Sequence, residues 1–511
     1  MAIATEMNVS FCDISSEMLP NEDVILQGIQ SIMKKGEYIS GMKHTLFERD
    51  FAIYIGVQHC IGVGNGTDAI EIAIESLQLE QGTTVFVQGN SCIATAIAVK
   101  HQTTPYHLVL IDVVPETGMI DLREVEAKAK EIQGVKVIIV THLFGYMPNM
   151  EEVLACCHRN NMILIEDCAQ AHGALWKGQK AGSFGRLSCF SFYPTKNLGG
   201  FGDGGAILTN ETSLSDWIRR RANMGSVVKN QFDILGRNSR LDTIQASVLL
   251  DKLPYLDANN EKRRRIATLY NRILCSITEI QTIVYDTLCQ PVYHLYVIRA
   301  KQRNELQHFL KQHGITTLIH YPTCIAKTDA CIGMGDTPVS ESLSHEMLSL
   351  PMYPGLYDDI PKIVYVACKI REFYGYRTFV GTDPYTFQTK AVDDKSGLLH
   401  AINDMRSFHT KRIFYVDGFE TAVIPIQRGN HCNQRTNKII SVLKGMIWLE
   451  LEYTTGKTES VLVRKNDSYY VPSGVWNCIT ILDKSTVVLV CCDTTFDEHD
   501  TITDYAVFKG M

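Results

Sequence analysis

Near residue 375 the periodicity of this 511-residue chain changes, and that change constrains what it can fold into. From about residue 20 to 250, short runs of Val, Ile and Leu at 60–63, 84–87, 107–111, 135–140 and 162–165 alternate with helical patterns near 68–77, 121–133 and 149–160. Such alternation predicts an α/β domain with a largely parallel sheet. Residues 255–373 read as a smaller α+β unit, with a long polar helix near 256–275 and a strand at 293–300. From about 385 the helical period is replaced by short alternating strands at 412–416, 439–443, 446–453, 459–463 and 487–490, with turn dipeptides at 417–418 and 444–445. That pattern predicts an all-β sandwich or barrel. Residues 374–384 between the two textures read as a linker. A chain of this length exceeds one ordinary core, so two or three domains are expected.

Several function classes are disfavoured at this level. The formal net charge is −7, and the short basic runs RRR (219–221) and KRRR (262–265) read as helix faces, so no nucleic-acid partner is expected. No stretch reaches the length of a membrane span, and the start MAIATEM lacks a basic n-region and a long apolar segment. Cytoplasm is the expected compartment, with the sixteen cysteines reduced. They form no Cys-x-x-Cys pair, so no structural zinc is expected, and adjacent pairs such as Cys156 and Cys157 read as small buried residues.

The chemistry concentrates in three segments of the first domain. The run CFSFYPTKNLGGFGDGG (189–205) sets Lys196 among hydroxyls, aromatics and glycines. A pyridoxal 5′-phosphate enzyme needs an amine to form a Schiff base with the cofactor aldehyde, and flexible backbone to pass close to ring and phosphate. Alone, such a lysine equally suits a solvated loop. The turn GVGNGTD (62–68) follows one strand and opens a helix, so it offers backbone N–H groups to a phosphate. Thr67 breaks the dinucleotide glycine pattern, and a plain tight turn remains open. LIEDCAQAHG (164–173) begins apolar and ends polar, at a strand's carboxyl end, where α/β domains place ligands. Asp167 there suits a protonated pyridine nitrogen and Gln170 a ring hydroxyl; a capping role for Asp167 stays open.

Six motifs stand in a fixed order: GNGTDA (64–69), HLFG (142–145), EDCAQAHGA (166–174), GSFG (182–185), FSFYPTKNL (190–198) and GRNSRLD (236–242). Together they resemble the DegT/DnrJ/StrS family of nucleotide-sugar aminotransferases over about residues 10–373. The resemblance implies the fold-type I architecture of PLP-dependent transferases, a large domain at about 10–250 and a small one at about 255–373. It also implies a homodimer with shared active sites. Lys196 is then the Schiff-base lysine and proton carrier, and Asp167 the pyridinium partner. Gly66, Thr67 and Ser191 bind the phosphate, with Asn238 reaching it from the opposite subunit. Gln170 touches the ring hydroxyl, His172 lies behind it, and Tyr321 in HYP (320–322) matches a substrate-side position. Cys92 departs from the family, which commonly places a ring-stacking aromatic there. Lysine at 196 argues against the sugar dehydratases related to this family, which carry histidine.

In the β domain, RGNHCNQ (428–434), YVPSGVWN (470–477) and DTTFDEHDTITDY (493–505) invite comparison with a metal-binding cupin. Such a site wants two alternating histidines, whereas only His431 is present and Asn433 takes the second place, so no metal is expected. With KRIFYV (411–416) and DKSG (394–397), these segments resemble the FdtA/WxcM-like cupins over about 385–511. That family of jelly-roll domains includes metal-free sugar 3,4-ketoisomerases acting on dTDP-4-keto-6-deoxyglucose. Ketone migration needs proton carriers. His431 is the candidate, Arg428 would polarise the enediolate oxygen, and Asn433 could bind a hydroxyl but cannot titrate.

The expectation is a bifunctional enzyme of deoxyamino-sugar biosynthesis. The cupin would move a ketone from C4 to C3 of a nucleotide-linked sugar, and the first domain would aminate C3 with glutamate as donor. The motif QAH (170–172) resembles that of C3-aminating relatives. The alternative is amination at C4, or of a UDP-sugar, with a non-catalytic sugar-nucleotide-binding cupin. A PLP-binding regulator is disfavoured by the presence of Lys196, Asp167 and Gln170 together.

Overall fold

The structure, a computed structural model, describes residues 7–15, 22–228, 230–376, 378–379, 386–388, 390–394, 397–401, 410–419 and 425–511. Lys395 and Ser396 of the DKSG motif and most of the expected linker lie outside the described residues. Residues 1–267 with 278–359 form one unit, and residues 268–277 with 360–511 form another.

The apolar runs of the first unit become central strands because they are covered on both faces. Thr84–Gln88 is buried at all five positions and Lys136–Thr141 at all six, as parallel strands between helical layers require. Seven strands form one sheet in the order His59–Val63, Gly205–Thr209, Leu187–Ser191, Met162–Asp167, Lys136–Thr141, Thr84–Gln88, His107–Ile111. Gly205–Thr209 runs antiparallel to both neighbours, and the other six strands are mutually parallel. The largely parallel sheet expected from the sequence is therefore present. Leu187–Ser191 and Gly205–Thr209 escape a reading by periodicity, since serine and glycine interrupt their apolar alternation.

The helices follow their caps. Asn65 accepts the Asp68 amide at 2.8 Å and starts Gly66–Ser76; Asn149 accepts two amides at the start of Met150–Arg159. The smaller α+β portion carries an antiparallel sheet of Ile280–Thr282, Tyr296–Ala300 and Met347–Leu350, with helix Leu256–Leu274 as the long polar helix. Its central strand starts three residues later than the apolar run predicts, because Tyr293 adopts a left-handed φ of 43°. Asp112, just past an edge strand, accepts the Val339 and Ser340 amides at 2.7 and 2.8 Å and so caps helix Pro338–Glu346.

The second unit contains two antiparallel-rich sheets. One includes Thr458–Arg464, Met446–Tyr453, Val475–Ile481 and Ile426–Asn433; the other includes Asp467–Val471, Lys438–Lys444, Val487–Cys492 and Arg412–Val416. Alternate residues of both, among them Ile447, Leu449, Leu451, Ile440, Val442, Val488 and Val490, share one buried cluster. This is the sandwich that the period-two texture predicts, an all-β cupin arrangement. Residues 378 and 379, within the expected linker, pair in parallel with Ser460 and Val461. Among the described residues no helix is long and apolar enough to cross a membrane.

Candidate active site

Strand register brings the first unit's functional residues to one end of the sheet. Thr141 and Asp167 are the last residues of adjacent parallel strands and stand opposite one another. Ser191 ends the next strand. Parallel strands feed their carboxyl ends into a common crevice, and here a cavity of about 640 Å³ opens there. Gly66, Thr67, Cys92, Asp167, Gln170, Ser191 and Lys196 all line it. Asn238 does not: it is exposed, on a bridge to Asn223.

Asp167 is 4% exposed and held by three donors. Thr95 Oγ1 donates to its Oδ2 at 2.9 Å, Thr141 Oγ1 to the same oxygen at 3.3 Å, and the Ala169 amide to Oδ1 at 3.2 Å. Neither threonine is singled out by sequence; Thr141 carries the one available signal, a hydroxyl at a strand's carboxyl end. Across the cavity the half-buried Lys196 has its pKa lowered, chiefly by loss of hydration, with the Asp167 charge opposing that shift. A lysine so placed gives up its proton more readily than one in water, as a nucleophilic or proton-carrying amine must.

Gln170 is fixed at both ends of its amide. Its Oε1 accepts the Phe144 amide at 2.7 Å, and its Nε2 donates to the Tyr321 hydroxyl at 3.1 Å. Phe144 presents that amide from a left-handed conformation, φ 60°. Tyr321, whose own pKa is raised by burial and by Cys92, thus stands next to Gln170 and Cys92 at the cavity edge. Cys92 caps helix Ile93–Lys100 and faces the cavity with a small side chain where an aromatic platform is common in the family that the sequence resembles.

His172, expected behind Gln170, is sealed behind the cavity wall. It is 0% exposed and packs edge-on against Phe190 and tilted against Phe192, ring centroids 5.3 and 5.8 Å away. Neither ring nitrogen has a partner in hydrogen-bond geometry. Burial, and then the Lys196 charge, pull its pKa down to about 3, with the Ser191 backbone opposing weakly, so the imidazole is neutral. Phe190 and Phe192 in turn pack edge-on against Phe51, and Phe192 against Phe47, so His172 lies at the border of an aromatic cluster. Asn197, next to Lys196, bridges this layer. Its Nδ2 donates to Asn260 Oδ1 at 2.8 Å, and its Oδ1 faces His294 Nδ1 at 3.1 Å.

At the other end of the cavity, Gly66 and Thr67 open helix Gly66–Ser76 beside Ser191, and their amides, unlike that of Asp68, which Asn65 caps, have the orientation that could hold an anion. A Cβ at Gly66 would lie 2.7 Å from Ser191 Cβ, so only glycine lets helix and strand end approach this closely.

Below the site, Glu166, His142 and Cys168 bring ligand-type atoms together. The Glu166 carboxylate accepts from the Gly182, Phe184 and Gly185 amides at 2.9, 2.7 and 2.7 Å and faces His142 Nε2 at 2.8 Å. All four of its acceptor positions are thereby engaged, and the group acts as an anchor for the 182–185 turn.

The second unit has a smaller cavity, about 90 Å³, lined by Arg428, His431, Lys438 and Asn477 among apolar side chains. His431 Nε2 is 2.8 Å from Lys438 Nζ. Asn433, expected to bind substrate, does not line the cavity: its Nδ2 donates to Asp500 Oδ2 at 3.1 Å and to Thr501 Oγ1 at 3.2 Å, while its side chain still bears on His431. The buried Asp500 carboxylate competes for that amide and wins it. Lys438 lies outside every motif read from the sequence, and its position in an apolar strand gives no signal.

The first cavity fits pyridoxal phosphate on three observations: a depressed lysine, a buried carboxylate facing the same space, and a glycine cradle at a helix N-terminus. Comparison with known proteins agrees. The model of the DegT/DnrJ/EryC1/StrS aminotransferase family matches residues 21–369, and that described as WxcM-like, C-terminal, matches 383–511. The chain is 38% identical over 380 residues, 72% of its length and 99% of the relative's, to a pleiotropic regulatory protein of Geobacillus stearothermophilus. It is 37% identical over 373 residues, 72% of its length and 100% of the relative's, to a dTDP-3-amino-3,6-dideoxy-alpha-D-galactopyranose transaminase of Aneurinibacillus thermoaerophilus. Among solved structures it resembles S. venezuelae DesV in complex with a ketimine intermediate, with a TM-score of 0.69 and 33% identity, covering 72% of this chain and 98% of that one.

Proposed function

The chain belongs to the DegT/DnrJ/EryC1/StrS aminotransferase family, and on that premise we propose that it aminates C3 of a dTDP-linked 3-keto-6-deoxyhexose, with glutamate as donor. We propose further that its WxcM-like domain first moves the ketone from C4 to C3. The cofactor of the family is pyridoxal phosphate, which supplies an electron sink when bound. Asp167, fixed by Thr95, Thr141 and Ala169, would hold the pyridine nitrogen protonated. Gly66, Thr67 and Ser191 would bind the phosphate. Gln170, with its carbonyl committed to Phe144, retains one N–H for the ring hydroxyl. Lys196 Nζ would carry the proton taken from, and returned to, the reacting carbon of donor and sugar.

The observation that carries the reading is the occurrence in one chain of an aminotransferase family match and a WxcM-like match. A ketone migrating from C4 to C3 provides the substrate that a C3 aminotransferase consumes, and the Aneurinibacillus relative is itself named as a C3 transaminase. A homodimer with shared sites is part of the reading; the exposed Asn238, which does not line its own chain's cavity, supports it. Amination at C4 with a non-catalytic cupin is the competing reading, favoured by the diversion of Asn433 to Asp500.

Incubation with dTDP-4-keto-6-deoxyglucose, pyridoxal phosphate and glutamate, with the new amine located by NMR, tests it. A C3 amine is expected. A C4 amine overturns the isomerase-first scheme, and absence of any amine overturns the choice of substrate.

A further inference from the structure

The sequence supplies one proton carrier to the second cavity, His431, and places non-titrating asparagines at 433 and 477. The structure supplies another. Lys438 comes from the opposite sheet of the sandwich, is 6% exposed, and reaches across to stand 2.8 Å from His431 Nε2. Asn477 occupies the ladder position facing His431 and donates to its carbonyl at 2.8 Å, so its side chain braces the histidine. Among the described residues no carboxylate lines the cavity, and no ion pair holds Lys438. A buried amine is costly unless something uses its charge.

We propose that Lys438 is the second proton carrier of this cavity, sharing a proton with His431 and acting with it on an α-hydroxyketone, an inference that rests on the ketone-migration reading above. The cavity suits the reacting edge of a sugar: it holds the equivalent of about three waters, at roughly 30 Å³ each, and its three basic groups Arg428, His431 and Lys438 converge on that space. In the first half of the reaction the C3 proton leaves to the pair. The C–H electrons form the C3=C4 double bond, and the C4 carbonyl oxygen, stabilised by Arg428, takes up a proton. In the second half the C3 hydroxyl gives up its proton and its O–H electrons form the new carbonyl. The double-bond electrons then take the proton that the pair returns to C4. Two protons leave and two arrive, and no oxidant or reductant is needed.

Burial lowers the pKa of Lys438 to about 8, against the attraction of Cys492, Cys432 and Asp500 and with repulsion from Arg412. Burial and the Lys438 charge lower that of His431. At neutral pH the lysine therefore holds the shared proton and the imidazole accepts from it. The proton is lost as pH rises through about 8, and turnover that needs it falls with it.

The test uses the full-length protein without glutamate, dTDP-4-keto-6-deoxyglucose as probe, and D₂O as solvent, with loss of the H3 signal and growth of 3-keto product followed by NMR. Lys438→Gln is expected to slow ketone migration at least ~100-fold. Lys438→Arg keeps the charge but cannot release the proton, so it too is slow and lacks the decline above pH 8. The Lys196-dependent reaction with glutamate, read by cofactor absorbance, is unchanged in both. If Lys438→Gln melts below the assay temperature, the pH profile of Lys438→Arg decides. Migration at wild-type rate in a folded Lys438 variant, or an unchanged alkaline limb in Lys438→Arg, overturns the assignment of Lys438 alone. No migration in the wild type overturns it together with the ketone-migration reading.

Discussion

Thr95 Oγ1 donates to Asp167 Oδ2 at 2.9 Å, so a helix that follows one strand fixes the carboxylate at the end of another. Thr141 shares the same oxygen at 3.3 Å. This arrangement aims Asp167 at the cavity without neutralising it, because both donors are uncharged. Thr95→Val removes the shorter bond while keeping the shape. A hydrogen bond to a charged acceptor contributes about 1.5–3 kcal/mol, so a roughly tenfold or greater loss of pyridoxal phosphate affinity is expected in a spectroscopic titration. Unchanged affinity would show that Asp167 does not depend on this donor.

Gly66→Ala tests the phosphate cradle. The added methyl meets Ser191 Cβ at 2.7 Å, inside van der Waals contact, and helix start and strand end must separate. Cofactor retention on gel filtration should fall by about an order of magnitude, since the phosphate donors no longer converge, and the cofactor-free protein should lose about 1–3 kcal/mol of stability from the overpacking.

Glu166→Gln leaves three backbone amides and His142 facing a group that now carries two donors of its own. At 0% exposure no water can compensate. Leaving buried donors unsatisfied costs about 1–3 kcal/mol each, more for charged partners. Denaturant unfolding of the aminotransferase unit should show a loss of at least about 2 kcal/mol.

His172 sets an acid limb of stability. Its folded pKa, about 3, lies below the unfolded value of 6.5, so the unfolded chain binds an extra proton as pH falls. The penalty is absent above pH 6.5 and grows down to about 3. Near pH 5 it reaches about 2 kcal/mol, at 1.36 kcal/mol per pH unit. Thermal melts between pH 8 and 5 should fall more steeply for wild type than for His172→Leu; equal slopes would place the titrating groups elsewhere.

Shared sites predict complementation. Lys196→Ala and Asn238→Asp are each expected to be inactive as homodimers. In randomly mixed dimers half the molecules are mixed and hold one intact site, so co-expression should restore about a quarter of wild-type activity. Co-expressed chains that stay inactive would remove Asn238 from the opposite subunit's site.

How far the sequence could be read follows from what its pattern encodes locally. Strand–helix alternation and strand-end polarity drew attention to Asp167, Gln170 and the glycine turn at Gly66, because each lies where the backbone turns out of a strand or into a helix; Lys196 stood out by its hydroxyl, aromatic and glycine neighbours, and Ser191 only through the family resemblance. The strands Leu187–Ser191 and Gly205–Thr209 were hidden by the serine and glycine that the site itself requires. The aromatic layer around His172 was not legible because the rings it meets, Phe190 and Phe192, come from a different stretch of chain. Thr95 and Lys438 act through partners 72 and 7 residues away, and nothing in their own surroundings announces it.

By itself the sequence determined the two textures, a lysine set among hydroxyls and glycines, a carboxylate at a strand's carboxyl end, and the pairing of His431 with asparagine at 433 in one β-domain motif. These depend on local backbone preference and residue type. Tertiary structure alone decided that two threonines orient Asp167, that His172 is a neutral ring in an aromatic layer, that Asp500 takes Asn433, and that Lys438 reaches His431. Each depends on which strands and sheets are neighbours. That pairing is set by burying apolar faces, an interaction without direction, so it leaves no mark at the polar residues it brings together.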